Sequence, residues 1–313
     1  AAARANRFRP ATSGISKPAF TGIKAFDDYP LEELLPRMDW TPFFQAWELA
    51  GRFPAILEDK KVGEHARTLY HDAQRLLGRM IKEKLVHARA VFGIWPANSD
   101  GDDIALWTDE TRKREAGRFR TLRQQMDRGP RPNLALADYI APAGTPDWIG
   151  GFCVTAGIGL DELVRKFEKD HDAYSAILAK ALCDRLAEAL AERLHERVRR
   201  EFGAYAPDES LTNEELIAEK YRGIRPAPGY PACPDHSAKR DMFRLLACDE
   251  IGMGLTESLA MTPAASVSGF YLAHPEARYF NVGRIGEDQL ADFAARQGLA
   301  EADARRALAP LLG

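Results

Sequence analysis

The longest regular pattern of apolar positions runs from residue 172 to residue 202, where an aliphatic residue recurs at every fourth position. The repeated residues are Leu178, Leu182, Leu186, Leu190, Leu194 and Val198. This spacing places them along one face of an α-helix, and Gly203 is a residue type that often ends one. At about 1.5 Å per residue the helix would be roughly 45 Å long. We therefore expect it to be the main support of the fold.

Shorter apolar patterns of the same period, together with capping residues and prolines, predict further helices. The predicted segments are residues 31–35, a start at Pro42, 64–87, a charged stretch at 110–126, 163–167, a capping box at 212–215, 237–246, 287–297 and 300–308. Because amphipathic helices bury one face, we expect most of these segments to pack on a common core.

Runs rich in β-branched and aromatic residues predict strands. These runs cover residues 91–95, 104–107, 134–136, 149–155, 255–261, 266–272 and 278–282. The first two flank Asn98-Ser-Asp-Gly101, a turn composition that predicts an antiparallel hairpin. Since the strands occur mostly as hairpins and the helices interrupt them irregularly, we predict an α+β fold with an antiparallel sheet and long helices.

The overall composition limits the partners that the chain can have. Apolar residues make up 45% and charged residues 28% of the 313 positions, which is enough to form a sizeable core. The net charge of −3 and the pI near 6.2 argue against nucleic acid as a main partner. No apolar run reaches the length of a signal peptide or a membrane span, so we expect no membrane partner.

Local composition predicts the domain organisation and the location of the protein. Residues 1–20 are rich in Ala, Arg and Pro without an apolar period, which predicts a linker or an N-terminal arm. Residues 21–313 are predicted to form one domain. The Ala-Ala-Ala start without Met indicates either an excised fragment or a processed start, of which we favour the fragment. The four cysteines lie far apart without a Cys-x-x-Cys pair, which is typical of reduced thiols in a cytoplasmic protein.

The stretch from Gly223 to His236 is the first candidate for chemistry. Four prolines fall within nine residues, so neither a helix nor a central strand can form there. A stiff turn remains, in which Gly229 permits an unusual backbone conformation, while Arg225 and Tyr230 offer a guanidinium and a phenol. Such a turn is either a ligand cradle or a Pro-rich connector between two elements.

Patterns typical of metal and dinucleotide sites are incomplete in this chain. Cys233-x-x-His236 lacks a second pair of ligands, and the acidic residues at 100–103 lack the spacing of a calcium loop. Gly157-Ile-Gly159 lacks the third glycine of a dinucleotide loop. We therefore predict no metal site, with a metal-dependent hydrolase through Cys233 and His236 as an alternative hypothesis.

Six motifs, taken together and in order, resemble the C-terminal activation domain of cobalamin-dependent methionine synthase. They are Arg225-Pro-Ala-Pro-Gly229-Tyr230, Asp39-Trp-Thr-Pro-Phe-Phe44, Asp102-Asp103-Ile104, Asn213-Glu-Glu-Leu-Ile217, Thr256-Glu-Ser258 and Ala265-Ser-Val-Ser-Gly269. The resemblance covers nearly the whole chain and implies a single activation-domain-like fold. It also implies that the domain binds S-adenosylmethionine and presents it to reduced cobalamin held by a neighbouring domain, which restores methylcobalamin.

The resemblance implies which residues bind S-adenosylmethionine. They are Asp39, Glu188, Arg225, Ala227, Gly229, Tyr230, Tyr279 and Phe280. We expect Arg225 to pair with the ligand carboxylate and Asp39 to accept a bond from a cationic or hydroxyl donor. The aromatic side chains would face the adenosine or the sulfonium. No catalytic side chain is expected, because cob(I)alamin is itself the nucleophile and the domain has only to position the donor.

Three of these assignments have alternatives. Asp39 directly precedes the helix start at Pro42 and could act like an N-cap. Glu188 lies one helical turn from Glu192, and the two could form an acid–base pair or be solvated side chains of a charged helix. Tyr279 and Phe280 open a predicted strand and could serve only in packing.

The resemblance also implies partners. Flavodoxin or a related reductase would supply the electron, and the cobalamin-binding domain of the same enzyme would receive the methyl group. The family's cobalamin loop Asp-x-His-x-x-Gly is absent from the sequence, so the chain would be a methyltransferase fragment, unable to complete methionine synthesis alone. The alternative is an interaction module that docks the reductase and the cobalamin domain.

Overall fold

A six-stranded antiparallel sheet forms the centre of the computed structural model, which describes residues 2–312. The strands are β1 Gly22–Tyr29, β2 His87–Asp100, β3 Asp103–Trp107, β4 Glu115–Arg120, β5 Asp147–Ile158, β6 Gly254–Leu255, β7 Met261–Thr262 and β8 Ser266–Tyr271. The order across the large sheet is β4-β3-β2-β5-β8, with β1 also paired to β2, while β6 and β7 form a separate pair. The predicted α+β fold with an antiparallel sheet is confirmed.

The long strand β2 has two neighbours along one edge. Its first part, up to Ile94, pairs with β1, and its last part, from Ala97, pairs with β3. The other edge pairs with β5 over nearly the whole length. The predicted hairpin is therefore confirmed, although its turn is tighter than expected, because the strands continue to Asp100 and resume at Asp103.

The α-helices are α1 Ala2–Ala5, α2 Thr41–Ala46, α3 Gly63–Lys82, α4 Leu160–Lys169, α5 Ala173–Arg197, α6 Asn213–Ile217, α7 Ala238–Leu245, α8 Glu287–Gln297 and α9 Glu301–Ala307. The predicted long helix is α5. The Asp172 carboxylate caps it by accepting a hydrogen bond from the Ser175 N–H at 2.9 Å. Beyond Arg197 the chain widens into a π-helical turn that ends before Gly203. None of the helices in residues 2–312 combines the length and apolar composition needed to cross a bilayer.

Helices cover one face of the sheet and loops cover much of the other. α5 packs against β5 and β8, with α3 and α4 beside it, and the largest apolar cluster fills this layer. The opposite face carries α7 in a second cluster that includes Trp95, Met242 and Phe270. α8 and α9 enclose a third, smaller cluster around Phe293. The contact between α5 and β8 is the one that positions the candidate site.

The predicted charged helix at 110–126 is wrong. Within it, Glu115–Arg120 form β4, which pairs antiparallel with β3. Phe119 of this strand is buried against Phe270, with ring centroids 4.4 Å apart. Arg118 donates a hydrogen bond of 2.8 Å to Asp100, at the end of β2. The spacing of charges predicted a helix for these residues, but their contacts with β3, Phe270 and Asp100 make residues 115–120 a strand.

Several shorter predictions also differ from the structure. Residues 134–136 lead into a 3-10 helix, Leu136–Tyr139, instead of forming a strand. Residues 278–282 form no regular secondary structure, and within residues 2–312 they join no ladder. Residues 255–261 contribute only the short β6 and β7, and residues 31–35 form 3-10 turns. A strand needs a partner with free backbone groups, and the residues of one segment do not reveal whether it has one.

Residues 2–20 lie along the surface of the domain. Arg4 forms ion pairs of 2.7 Å with both Asp102 and Asp292. At the other end, the Phe20 N–H donates to the Phe202 carbonyl at 2.9 Å. The segment is therefore bonded to the domain at both ends.

Candidate functional site

The loop that follows Gly223 lies along β8 and extends the sheet irregularly. Ile224 and Leu272 exchange two backbone hydrogen bonds of 3.0 and 3.1 Å, and the Phe270 N–H donates to the Pro226 carbonyl at 2.8 Å. Gly269 permits this close approach, because a Cβ at that position would lie 2.8 Å from the Pro226 oxygen. The stiffness predicted from the prolines is therefore reinforced by the sheet.

Gly229 forms the tip of a tight turn in this loop. Its φ of +98° favours glycine, and a Cβ there would lie 2.2 Å from Cε1 of His236. The Gly229 N–H donates to the Cys233 carbonyl at 2.7 Å, and the Tyr230 N–H donates to the Ala227 carbonyl at 3.1 Å. These bonds close the turn and leave the Tyr230 side chain 62% exposed.

A cavity of about 530 Å³ opens beside the loop, a size typical of small-molecule sites. We call it the Arg225 pocket. Six of the eight predicted site residues line it, all except Asp39 and Gly229, and these six are Glu188, Arg225, Ala227, Tyr230, Tyr279 and Phe280. The structure therefore brings together residues that are up to 92 positions apart in the sequence, from Glu188 to Phe280. Unpredicted lining residues include Glu219, Tyr221 and Val267.

Arg225 is held from two sides. Its Nη1 donates to the Glu192 carboxylate at 3.1 Å and to His195 Nδ1 at 3.3 Å, and its backbone N–H donates to the Tyr279 hydroxyl at 2.9 Å. Within residues 2–312 its Nε and Nη2 donate to no acceptor. Burial lowers the pKa of Arg225, but the charge of Glu192 and the neighbouring tyrosines together raise it above its ordinary value, so the guanidinium stays cationic.

Behind Arg225 lies a second, fully buried arginine on the π-helical turn after α5. Arg199 donates from Nε to Glu209 at 2.8 Å, and its guanidinium lies 4.5 Å from the centre of the Tyr221 ring. Glu192 stands between the two cations, with its second oxygen 3.7 Å from Arg199. The wall behind the pocket is therefore a network in which two arginines share one carboxylate.

Tyr221 and Tyr279 connect the loop to the far wall of the pocket. Their hydroxyl oxygens lie 3.0 Å apart, and burial raises the pKa of Tyr221, which keeps that phenol protonated at neutral pH. The strand predicted to open at Tyr279 does not form, yet Tyr279 and Phe280 both line the pocket. Phe280 also packs against two of the apolar clusters, so this position is compatible with both packing and ligand contact, and the ligand contact of the pair stays a prediction.

Asp39 lies outside the pocket lining. Its carboxylate accepts a hydrogen bond from the Thr41 N–H at 2.9 Å, two residues on. The N-cap of α2 is Trp40, so Asp39 stabilises the turn that leads into the helix and is not itself the N-cap. Contact between Asp39 and a ligand stays a prediction. Gly229 shapes the turn between two lining residues, Ala227 and Tyr230, without lining the cavity itself.

The sequence analysis missed Glu219 and the roles of Glu192 and His195. Glu219 follows α6 with a positive φ of 55°, and no motif marks it. Burial raises the pKa of Glu219, opposed by Arg225 and helped by Glu192. Glu192 and His195 had a usable signal, since they lie four and seven positions after Glu188 and so share its face of α5.

Cys233 and His236 make different contacts in the folded chain. Burial raises the pKa of the Cys233 thiol, and the His236 ring packs against the turn at Gly229. In the part of the chain that the structure describes, no group of three or more His, Cys, Asp or Glu side chains is arranged to hold a metal ion.

Fold and site together define an α+β domain with a pocket lined by charged and aromatic side chains. A family model described as the activation domain of vitamin B12 dependent methionine synthase matches residues 30–298. A crystal structure described as the MetH reactivation domain bound to AdoHcy is similar over 100% of this chain and 97% of that one, with 47% identity and a TM-score of 0.97. The chain belongs to the activation-domain family of vitamin B12 dependent methionine synthase, which confirms the resemblance.

Proposed function

We propose that the Arg225 pocket binds S-adenosylmethionine and presents its methyl group to reduced cobalamin carried by a neighbouring domain. The proposal depends chiefly on the Arg225 guanidinium, which Glu192 and the loop hold at the pocket wall while Nε and Nη2 donate to no acceptor in residues 2–312. The similar crystal structure supports it, because AdoHcy is what remains of S-adenosylmethionine after methyl transfer.

The charges of the pocket match those of the amino-acid part of the ligand. The free edge of the Arg225 guanidinium suits a carboxylate, which it can bind through two parallel hydrogen bonds. Glu188 and Glu219 line the same cavity and suit the ammonium and sulfonium cations. A ligand with one anionic and two cationic groups therefore finds a partner for each.

The aromatic and backbone parts of the pocket suit the nucleoside. Tyr279, Phe280 and Tyr230 offer ring faces to the adenosine or the sulfonium. Ala227 contributes loop backbone beside them, and the proposal keeps Gly229 as the residue that shapes this wall. Asp39 is proposed as a further contact for a cationic or hydroxyl group of the ligand.

The chain's contribution to methyl transfer would be binding and orientation. Reduced cobalamin supplies the electron pair that accepts the methyl group. Breaking the bond between sulfur and the methyl carbon neutralises the sulfonium without moving a proton, so no residue is needed as a general acid or base. We therefore propose no catalytic side chain in this chain, which would act as one part of the 5-methyltetrahydrofolate-homocysteine methyltransferase.

The proposal includes the organisation and partners of the domain. Residues 1–20 would form the N-terminal arm and residues 21–313 the binding domain. The partners would be the cobalamin-binding domain of the same enzyme and flavodoxin or a related reductase, all in the cytoplasm. The position of residues 30–298 in the family match supports this division, since the arm lies outside it.

A second candidate function is an interaction module that docks the cobalamin domain and the reductase. The observation that favours it is the Tyr230 side chain, which is 62% exposed at the edge of the pocket. A large exposed aromatic residue beside a cavity is typical of a surface that another protein covers. Docking and ligand binding at this edge are compatible.

A thermal unfolding experiment tests the proposed ligand site. If the pocket is preformed, S-adenosylmethionine should stabilise the chain by about 2.7 kcal/mol at a hundredfold excess over its Kd. Methionine alone, which lacks the nucleoside and the sulfonium, is the control and should produce a much smaller shift. Unchanged unfolding at millimolar S-adenosylmethionine would favour the docking module instead.

A further inference from the structure

His195 contacts Arg225 from the interior of the domain, and the assignments above give it no role. Its ring is fully buried on α5, with Nδ1 3.3 Å from Nη1 of Arg225 and Nε2 3.4 Å from the Tyr205 hydroxyl. An arginine nitrogen can only donate, so Nδ1 must accept. Nε2 therefore carries the ring proton and donates it to the oxygen of Tyr205.

The orientation of the His195 ring is fixed by its neighbours. Tyr271 stacks on it with centroids 5.0 Å apart and planes inclined by 10°. Tyr221 meets it edge-on at 4.9 Å and 79°. With aromatic rings packed against it in two directions, the imidazole cannot turn to offer Nε2 to Arg225 without disturbing the core.

The charged groups around His195 keep it neutral. Burial and the positive charges of Arg199 and Arg225 lower its pKa well below the usual value. Glu192, on the same face of α5, is engaged by Arg225 at 3.1 Å. The phenols of Tyr205, Tyr221 and Tyr271 also contact the ring, and they are uncharged. A neutral acceptor can orient a guanidinium without cancelling its charge.

The two contacts of Arg225 Nη1 account for both of its hydrogens. One goes to Glu192 and the other to His195 Nδ1, which leaves the edge formed by Nε and Nη2. We propose that His195 is a positioning residue, an inference that rests on the proposed function. It orients Arg225 so that this edge faces the carboxylate of the bound S-adenosylmethionine.

Calorimetry with two ligands tests this role. The proteins are wild type, His195→Leu and His195→Asn, and the ligands are S-adenosylmethionine and its decarboxylated form, which has no partner for Arg225. His195→Leu should weaken binding of S-adenosylmethionine by about three- to tenfold, the loss expected for one hydrogen bond. Binding of the decarboxylated ligand should not change. His195→Asn, whose side-chain oxygen can replace Nδ1 as acceptor, should recover part of the loss.

His274 provides a matched control. It is also a buried histidine, but its Nε2 bonds to the Ala11 carbonyl of the arm at 2.9 Å, outside the Arg225 pocket. His274→Leu should bind both ligands like the wild type. An effect equal to that of His195→Leu would mean that any buried histidine supports the site, and it would overturn the specific role of His195.

The outcomes separate this inference from the proposed function. Wild-type affinity in a folded His195→Leu variant, or equal losses for both ligands, would overturn the positioning role alone. Failure of the wild type to bind S-adenosylmethionine would overturn both proposals. If His195→Leu does not fold, nitrogen NMR of the wild type decides, because the contacts of the ring require a bare Nδ1 and a protonated Nε2. A proton on Nδ1 would contradict it.

Discussion

Arg225 receives its charge balance and its position from different neighbours. Glu192 lies 3.1 Å from Nη1 and supplies the opposite charge, whereas the hydrogen bond from the Arg225 N–H to the Tyr279 hydroxyl fixes the backbone. Both contacts are made within the chain itself. Because the side chain is ordered in advance, binding should cost little conformational entropy at this position.

At the residue scale we predict that Arg225→Ala weakens binding of S-adenosylmethionine by about tenfold to a hundredfold. Losing a charged hydrogen bond costs about 1.5 to 3 kcal/mol, while the prolines that stiffen the loop remain. Arg225→Lys should recover only part of the affinity, since an ammonium cannot form the two parallel bonds. Calorimetry gives the affinities, and circular dichroism checks the fold.

Arg240→Ala is the control for this prediction. Arg240 is exposed on α7, outside the pocket lining, so its removal should leave the affinity unchanged. If a folded Arg225→Ala variant binds as tightly as this control, then the loop is a connector and the assignment of the site to it fails.

The sequence predicted the lining residues of the proline-rich loop and, through the family resemblance, Glu188, Tyr279 and Phe280, but it missed others. Arg225 and Tyr230 were found because prolines and a glycine mark their loop. Glu219 and Tyr221 carry no such mark, and only the folded chain brings them to the same cavity. His195 was assigned no role, because its contact with Arg225 joins two segments that local spacing cannot relate.

At the scale of elements, prediction succeeded where an element carries its own signal. The leucine spacing of α5 appears within the helix itself, and the structure confirms it. β4 failed because its conformation depends on β3, with which it pairs, and on the burial of Phe119 against Phe270. Charged residues occur in both the helix α5 and the strand β4, so the spacing of charges alone did not distinguish a helix from a strand.

We predict that Leu186→Ala lowers the free energy of unfolding by about 2 to 5 kcal/mol, the range for removing a buried leucine side chain. Leu186 is 0% exposed on α5, in the layer between this helix and the sheet. Ile177→Ala, on the same helix but 54% exposed, is the control and should change stability by only about 0.5 kcal/mol. Urea unfolding measures both, and similar losses would mean that α5 is not anchored by its leucine face.

At the scale of the whole molecule, one buried arginine connects segments that are distant in the sequence. Arg123 is 1% exposed and donates to Asp102, after β2, at 2.8 Å and to Asp138 at 2.6 and 2.7 Å. Its backbone N–H donates to Gln289 of α8 at 2.7 Å. The end of the sheet, the 3-10 helix and the C-terminal helices therefore meet at this residue.

We predict that Arg123→Met lowers the free energy of unfolding by about 3 to 5 kcal/mol, because it leaves buried carboxylates without their partner. Arg306→Met is the control, since the Arg306 side chain is 81% exposed in its ion pair with Asp303, and exposed pairs contribute at most about 1 kcal/mol. Thermal or urea unfolding gives both values. A loss no greater than that of the control would show that the carboxylates find other partners.

The backbone contact between the loop and β8 determines what would have to be moved to rebuild this site in another protein. A graft of residues 223–236 would carry Arg225 and Tyr230. It would not carry β8, whose Phe270 N–H donates a hydrogen bond to the Pro226 carbonyl. A recipient strand with a side chain at the position of Gly269 would hold the loop away, since even a methyl group would contact that oxygen at 2.8 Å. A transplantable unit therefore includes the loop, β8, the face of α5 that carries Glu192, and Tyr279, whose hydroxyl accepts from the Arg225 N–H.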